Sequence, residues 1–134
     1  DEAERRLQTI PGFGPVVSSA YPAAIGDGSG FRRGRDVSAY LGIVPRQHSR
    51  GGKEVLLGIS KRGNRYVRSL LIHGARAVVQ YADRKSDRLS RWVVRLVERR
   101  GKNKATVALA NKLARIGWVV LRQGVVYQTE VLRA

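Results

Sequence analysis

The amino-acid sequence predicts a mainly α-helical domain, and three observations lead to that prediction. Apolar residues recur at steps of three and four through three long segments of the C-terminal half, which is the spacing of one helix face. Glycines and all the prolines crowd the first half instead, as in turns and loops. Hydrophobic residues make up 43% of the chain, enough for one buried core, and there is no cysteine for a disulfide framework.

Residues 1–8 are expected to form the end of a charged helix, and residues 9–30 a helix-hairpin-helix-like unit. The stretch TIPGFGP breaks the first helix with two prolines and two glycines, and Pro22 should kink or end the helix that resumes over 16–25. In such a hairpin, Gly12 and Gly14 would let backbone N–H groups approach a DNA phosphate, helped by the dipole of the following helix. The alternative is a tight turn between two helices and nothing more.

A short helix beginning at Arg35 or Asp36 and running to Leu41 is followed by an irregular, glycine-rich loop over residues 42–63. Within this loop, PRQHSRGGK places a serine beside basic side chains and two glycines that keep the segment sterically open. Guanidinium groups there could hold a phosphate, and a serine hydroxyl could attack phosphorus. The candidates are Ser49 as nucleophile, His48 as a weaker acid or base, and Arg46, Arg50 and Lys53 as phosphate ligands. The spacing alone favours ordinary loop chemistry over catalysis.

Three longer helices are predicted over residues 64–82, 86–99 and 103–122, each with an apolar face. Ser86 and Asn103 are the expected N-caps of the second and third, and Gly124 is expected to end the third. These three helices form a predicted helical bundle over residues 64–124. The tail, residues 125–134, is expected to be a strand or a loosely ordered end.

Four cations cluster at the start of the first of these helices, namely Lys61, Arg62, Arg65 and Arg68. Positive charge at a helix N-terminus opposes the helix dipole, so a purely structural role explains the cluster poorly. A bound polyphosphate backbone would remove the conflict, and the sequence therefore predicts contact with nucleic acid. Ser60 or Asn64 is the expected cap of this helix, and His73 is expected to be packed or hydrogen-bonded rather than a ligand.

The charge of the whole chain favours the same partner. The 26 Lys+Arg and 10 Asp+Glu give a formal net charge of +16. Residues 31–69 hold ten bases and two acids, and residues 83–104 hold nine bases and three acids. Such an excess indicates a polyanionic partner, and its spread along the chain favours nucleic acid over a membrane surface. No apolar run approaches the roughly 20 residues that span a bilayer, so we expect a cytoplasmic, nucleoid-associated protein.

The sequence predicts no metal site and no cofactor bound by this chain. Its ten acids are scattered, without the paired carboxylates of a two-metal site, and it has no Walker loop and no HExxH motif. Methionine is absent even at position 1, which we interpret as a sign that the chain is a piece of a longer protein.

Taken together, these motifs resemble a known family. The stretches TIPGFGPVVSSAYPAAIGD and FRRGRDVSAYLGIVPRQHSRGGKEVLLGISKRGNRYVRSLLIHGARAV are similar to the C-terminal domain, Transposase_20, of insertion-sequence one-ten transposases. The segment GIVPRQHSRGGKEVLLGISKRG is closest to the insertion-sequence eleven-eleven branch, and the similarity covers roughly residues 7–125.

The resemblance implies the serine-bearing domain of a transposase or site-specific recombinase, joined by a coiled-coil helix pair to a RuvC-like domain with an Asp-Glu-Asp-Asp magnesium site. Residues 1–8 would then end the coiled-coil helix, and residues 9–134 would form the C-terminal transposase domain. It also implies DNA and a structured bridge RNA as partners, and a homo-oligomer in the full-length form. A related branch inverts pilin genes. Because the carboxylates of the RuvC-like domain are not in this chain, we expect the isolated chain to be inactive.

On this resemblance Ser49, eleven residues before Ser60, is the favoured nucleophile. Counting forward from Pro45 in some relatives would instead select Arg50, which cannot be a nucleophile, and this copy would then be inactive. The alternative function, from another class, is a non-catalytic, sequence-independent nucleic-acid-binding module. An upstream RuvC-like domain in the full-length gene would favour the transposase.

Overall fold

The computed structural model describes residues 1–43 and 61–128, and all of the regular structure in these two ranges is helical. The elements are α1 (Glu2–Leu7), α2 (Pro15–Ile25), α3 (Gly34–Leu41), α4 (Lys61–Tyr81), a 3-10 turn (Ala82–Arg84), α5 (Arg88–Arg100) and α6 (Lys102–Gln123). This arrangement confirms the predicted mainly helical fold and its three longer C-terminal helices. Residues 125–128 have no regular structure, and the rest of the predicted tail lies outside the described ranges.

The C-terminal helix α6 is the centre of the core. It packs against α1, α3, α4 and α5, and its residues Leu109, Leu113 and Ile116 are completely buried. The hydroxyl of Tyr21, on α2, is also fully buried and donates to the backbone oxygen of Ala114. Burial raises the pKa of this hydroxyl, so it remains a donor. The short N-terminal helices are thus tied to α6 by side-chain contacts that sequence periodicity does not reveal.

Pro22 does not end α2, contrary to one of the two outcomes expected from the sequence. The helix continues to Ile25, and the N–H of Gly26 donates to the Pro22 oxygen at 2.8 Å. A proline removes one backbone donor from a helix interior. Burial of Tyr21 and Ile25 on either side of Pro22 stabilises the last turn despite that loss.

The expected N-caps of the later helices are wrong by one or two residues. Asp87, not Ser86, caps α5: its carboxylate accepts the Ser90 N–H at 3.1 Å and the Ser90 hydroxyl at 2.7 Å. Gly101, not Asn103, precedes α6, because its φ of +90° suits the tight turn from α5. Gly124, with φ +64°, ends α6 as predicted.

The helices on either side of residues 44–60 also begin earlier than expected. Helix α3 starts at Gly34, with Arg33 as its N-cap residue, rather than at Arg35 or Asp36. Helix α4 starts at Lys61, so Asn64 lies inside the helix and is not its cap. The other expected cap, Ser60, lies outside the described residues.

Candidate nucleic-acid interface

Hydrogen bonds from α6 and from α4 hold the C-terminal end of α3, just before residue 44. The Asn111 side chain, on α6, donates to the Ile43 backbone oxygen at 2.6 Å, and the Ser38 hydroxyl donates to the Asn111 backbone oxygen at 3.1 Å. Ile43 is itself buried in the core. The chain therefore enters residues 44–60 from a defined position against α6.

The first turns of α4 hold the same end of α3. The Asn64 amide donates to the Tyr40 oxygen at 2.9 Å, and the Arg68 guanidinium donates to the Leu41 oxygen at 3.1 Å. Both acceptors belong to the last turn of a helix, where carbonyls lack intrahelical partners. These bonds join α3 to α4, the helices that precede and follow residues 44–60 in sequence.

Several residues predicted to carry the chemistry fall within that segment. Arg46, His48, Ser49, Arg50 and Lys53 all lie outside the described residues, so their roles stay predictions. Lys61 and Arg62 begin α4, but their side chains also lie outside the described part.

The two described members of the predicted α4 cluster have different surroundings. Arg65 is exposed, as contact with nucleic acid requires. Arg68 is half-buried, and its contact with Leu41 gives it a structural role as well. Gly42, next to that contact, has a φ of +78°, which favours glycine, and a Cβ there would also meet the Arg68 Nη1.

The turn between α1 and α2 is packed against α4. Gly12 has φ +88°, and a Cβ placed on Gly74 would lie 2.2 Å from the Gly12 oxygen. Helix packing and backbone conformation therefore account for Gly12 without a ligand, which is the simpler of the two interpretations offered by the sequence. Gly14 is exposed at the N-terminus of α2, without a side-chain cap. A phosphate contact at either glycine stays a prediction.

His73 is exposed on α4, so the expectation of a packed histidine is wrong. The segment around it looks apolar in sequence, but His73 falls on the side of the helix that faces away from the core. Among the described residues, no group of three or more His, Asp or Glu side chains could hold a metal ion. No helix in the same part of the chain is long and apolar enough to cross a membrane.

Sequence reasoning missed a row of arginines on α5. Arg88, Arg91, Arg95 and Arg99 follow one another at steps of three and four, so they share one helix face, and all four are exposed. None of them forms an ion pair within the described ranges, where the ion pairs join Arg5 and Arg6 to Glu2 and Arg33 to Asp36. The spacing test used for apolar residues would have found this row, which we call the arginine ridge.

Helix α6 adds positive charge beside the ridge. The Lys112 ammonium lies 5.2 Å from the centre of the Trp92 ring on α5. Its pKa is lowered by burial and by the nearby Arg115 and Arg88 guanidinium groups. Burial and the neighbouring guanidinium groups thus both disfavour the charged form of Lys112, and a bound polyanion would offset the repulsion between these cations.

Comparison with known proteins places the chain in a family. Residues 4–90 match the model described as "Transposase IS116/IS110/IS902 family". The chain is 52% identical over 124 residues to the "Transposase for insertion sequence element IS1111A" of Coxiella burnetii, covering 92% of this chain and 34% of that protein. It is 51% identical over 128 residues to a "Probable family 20 transposase" of Pseudomonas aeruginosa, covering 96% of this chain and 38% of that protein.

A more distant relative is the "Pilin gene-inverting protein" of Moraxella bovis, 34% identical over 122 residues, which cover 87% of this chain and 36% of that protein. No solved structure gives a significant match. The chain spans about a third of the length of the curated relatives it matches. The family model covers well over half of the chain, and the expected resemblance is therefore confirmed: the chain belongs to the IS116/IS110/IS902 family of transposases.

Proposed function

We propose that this chain is the DNA-binding, nucleophile-bearing domain of a transposase that exchanges DNA strands through a covalent link to Ser49. Membership of the transposase family is the observation that carries the proposal. The net charge of +16 supports DNA as the partner, since neutralising phosphates releases counterions. The relative that inverts pilin genes is consistent with strand exchange between DNA sites.

The proposed step is a transesterification. The Ser49 oxygen attacks a phosphorus of the DNA backbone, one bond from that phosphorus to a deoxyribose oxygen breaks, and a serine–phosphate bond forms. The serine proton leaves to a base, for which His48 is the nearest candidate in sequence, and the departing oxygen takes up a proton. Reversal by the hydroxyl of another strand restores the serine and joins the new partners.

The contacts of the described residues on either side of segment 44–60 support this role. Asn111 holds Ile43 on one side, and Asn64 joins α4 to α3 on the other. A nucleophile must be held in place relative to the phosphate that it attacks, and fixed flanking residues help to position the segment that carries it. The magnesium site, the bridge RNA and the homo-oligomer belong to the same proposal and concern the full-length protein.

The test is trapping of the full-length transposase on its DNA. Ser49→Ala should abolish the covalent protein–DNA adduct and leave DNA binding unchanged, whereas Ser69→Ala, at an exposed serine on α4, should leave both unchanged. Adducts that persist in Ser49→Ala would rule out this nucleophile. An unmodified protein that binds DNA and never forms an adduct would favour the non-catalytic nucleic-acid-binding module.

A further inference from the structure

We infer that the arginine ridge of α5, extended by Lys112 of α6, is a binding surface for the phosphate backbone of duplex DNA. The inference rests on the proposed function, because it takes DNA as the partner, and it assigns the contact to a part of the chain outside segment 44–60. Four observations support it: the spacing of the arginines along α5, the absence of ion pairs to them in the described ranges, the closeness of Lys112 to other cations, and the position of the ridge relative to Ile43.

The spacing gives the ridge the length of a backbone contact. Arg88 and Arg99 are eleven residues apart, so their positions are separated by about 16 Å along the helix. Each strand of B-DNA advances about 3.4 Å along the duplex axis per phosphate, so the ridge is long enough to contact more than one phosphate of a strand that runs along it. Arginine suits such contacts because its planar group donates two hydrogen bonds to phosphate oxygens.

The ridge arginines form no ion pairs in the described ranges, so their mutual repulsion destabilises α5 in the absence of a bound anion. The pairs Arg91–Arg95 and Arg95–Arg99 place like charges at i and i+4, an arrangement that destabilises a helix. Glu98 is the sole acid on α5, and it forms no ion pair in the described ranges. Arg99 lies in the last turn, where the helix dipole favours a cation, and the Arg91 guanidinium donates to the Ser86 backbone oxygen. Arg95, between them, has neither contact within the described residues.

The position of the ridge is related to that of Ile43 through α6. Asn111 and Lys112 are consecutive on α6: Asn111 holds Ile43, and Lys112 lies over Trp92 of α5. Ile43 and the ridge helix therefore flank the same level of α6.

The experiment compares two charge-matched triple variants of the 134-residue chain. The ridge variant is Arg91→Gln/Arg95→Gln/Arg99→Gln. The control is Arg5→Gln/Arg76→Gln/Arg122→Gln, which removes three exposed arginines from α1, α4 and α6. Circular dichroism verifies that both are folded, and affinity for a 20-base-pair DNA duplex is measured by fluorescence anisotropy over a range of salt concentrations.

The ridge variant should bind duplex DNA at least about tenfold more weakly, and the slope of log K against log salt should fall by about 3, close to one unit per lost phosphate contact. For the control, the slope of log K against log salt should fall by less than half as much. If affinity and slope fall equally in both variants, the ridge is not the DNA-binding surface, although the proposed DNA binding by the chain would still stand. Failure of the unmodified chain to bind DNA would instead overturn the proposed function. A loss confined to duplex RNA or single-stranded DNA in parallel titrations would refute duplex DNA as the partner of the ridge.

Discussion

The side-chain amide of Asn111 donates to the backbone oxygen of Ile43 at 2.6 Å, across 68 positions of sequence. This bond joins the central helix α6 to the last residue described before segment 44–60. Ile43 is almost completely buried, so its oxygen has little access to water. The bond thus both stabilises the fold and defines where the proposed catalytic segment begins.

Asn111→Ala should lower the free energy of unfolding by about 1–3 kcal/mol, because a buried carbonyl loses its partner. Chemical denaturation measures the change. Asn103→Ala, at an exposed asparagine on the same helix, is the matched control and should change stability by less than about 0.5 kcal/mol. Similar losses in both variants would mean that the Ile43 contact contributes little.

Gly74→Ala should destabilise the fold by about 1–3 kcal/mol, since the added methyl group would meet the Gly12 oxygen and force α4 away from the turn. Thermal unfolding of the two proteins provides the measurement. Gly30→Ala is the control, because a Cβ at Gly30 meets nothing within 4 Å. A Gly74→Ala protein as stable as the parent would show that the turn is not packed against α4 as described.

Asp87→Ala should cost about 1 kcal/mol through loss of the α5 N-cap. Partial burial raises the pKa of the Asp87 carboxyl, but hydrogen bonds from Ser90 outweigh it and hold the pKa below its usual range. A lowered pKa means that the carboxylate stabilises the fold fully above roughly pH 4 and loses this effect as the pH falls through the folded-state value. The stability difference between parent and variant, measured from pH 7 to pH 2, should therefore shrink at the acidic end. A constant difference would exclude a charge-dependent cap.

Arg95→Gln should be more stable than the parent at low salt, by up to about 1 kcal/mol, because it removes both like-charge pairs, leaves the Arg91 contact with the Ser86 oxygen in place, and glutamine keeps a high helix propensity. Added NaCl screens the repulsion and should reduce the gain. Melting temperatures at 20 and 500 mM NaCl test both statements. A variant less stable than the parent at low salt would show that Arg95 contributes to the fold itself.

Much of the helical framework could be predicted from sequence because apolar periodicity is a local property. Val67, Leu71 and Ala75 on α4 fall on the buried face that their spacing predicts, as do Leu89 and Val93 on α5. The caps were less predictable. Ser86 and Asp87 are both good capping residues in sequence, and the backbone path out of the 3-10 turn decides between them.

For the candidate site, the sequence by itself determined the charge, the helix faces and the family, all of which depend on residue type and order. It also placed Ser49 in a basic loop, where its catalytic role stays a prediction. Only the tertiary structure decided that Arg68 and Asn64 bind the end of α3, that Gly12 packs on Gly74, and that Lys112 adjoins the ridge. These contacts join residues far apart in sequence, and their partners are backbone atoms or side chains that carry no local signal. Their geometry exists only once the helices have packed around α6.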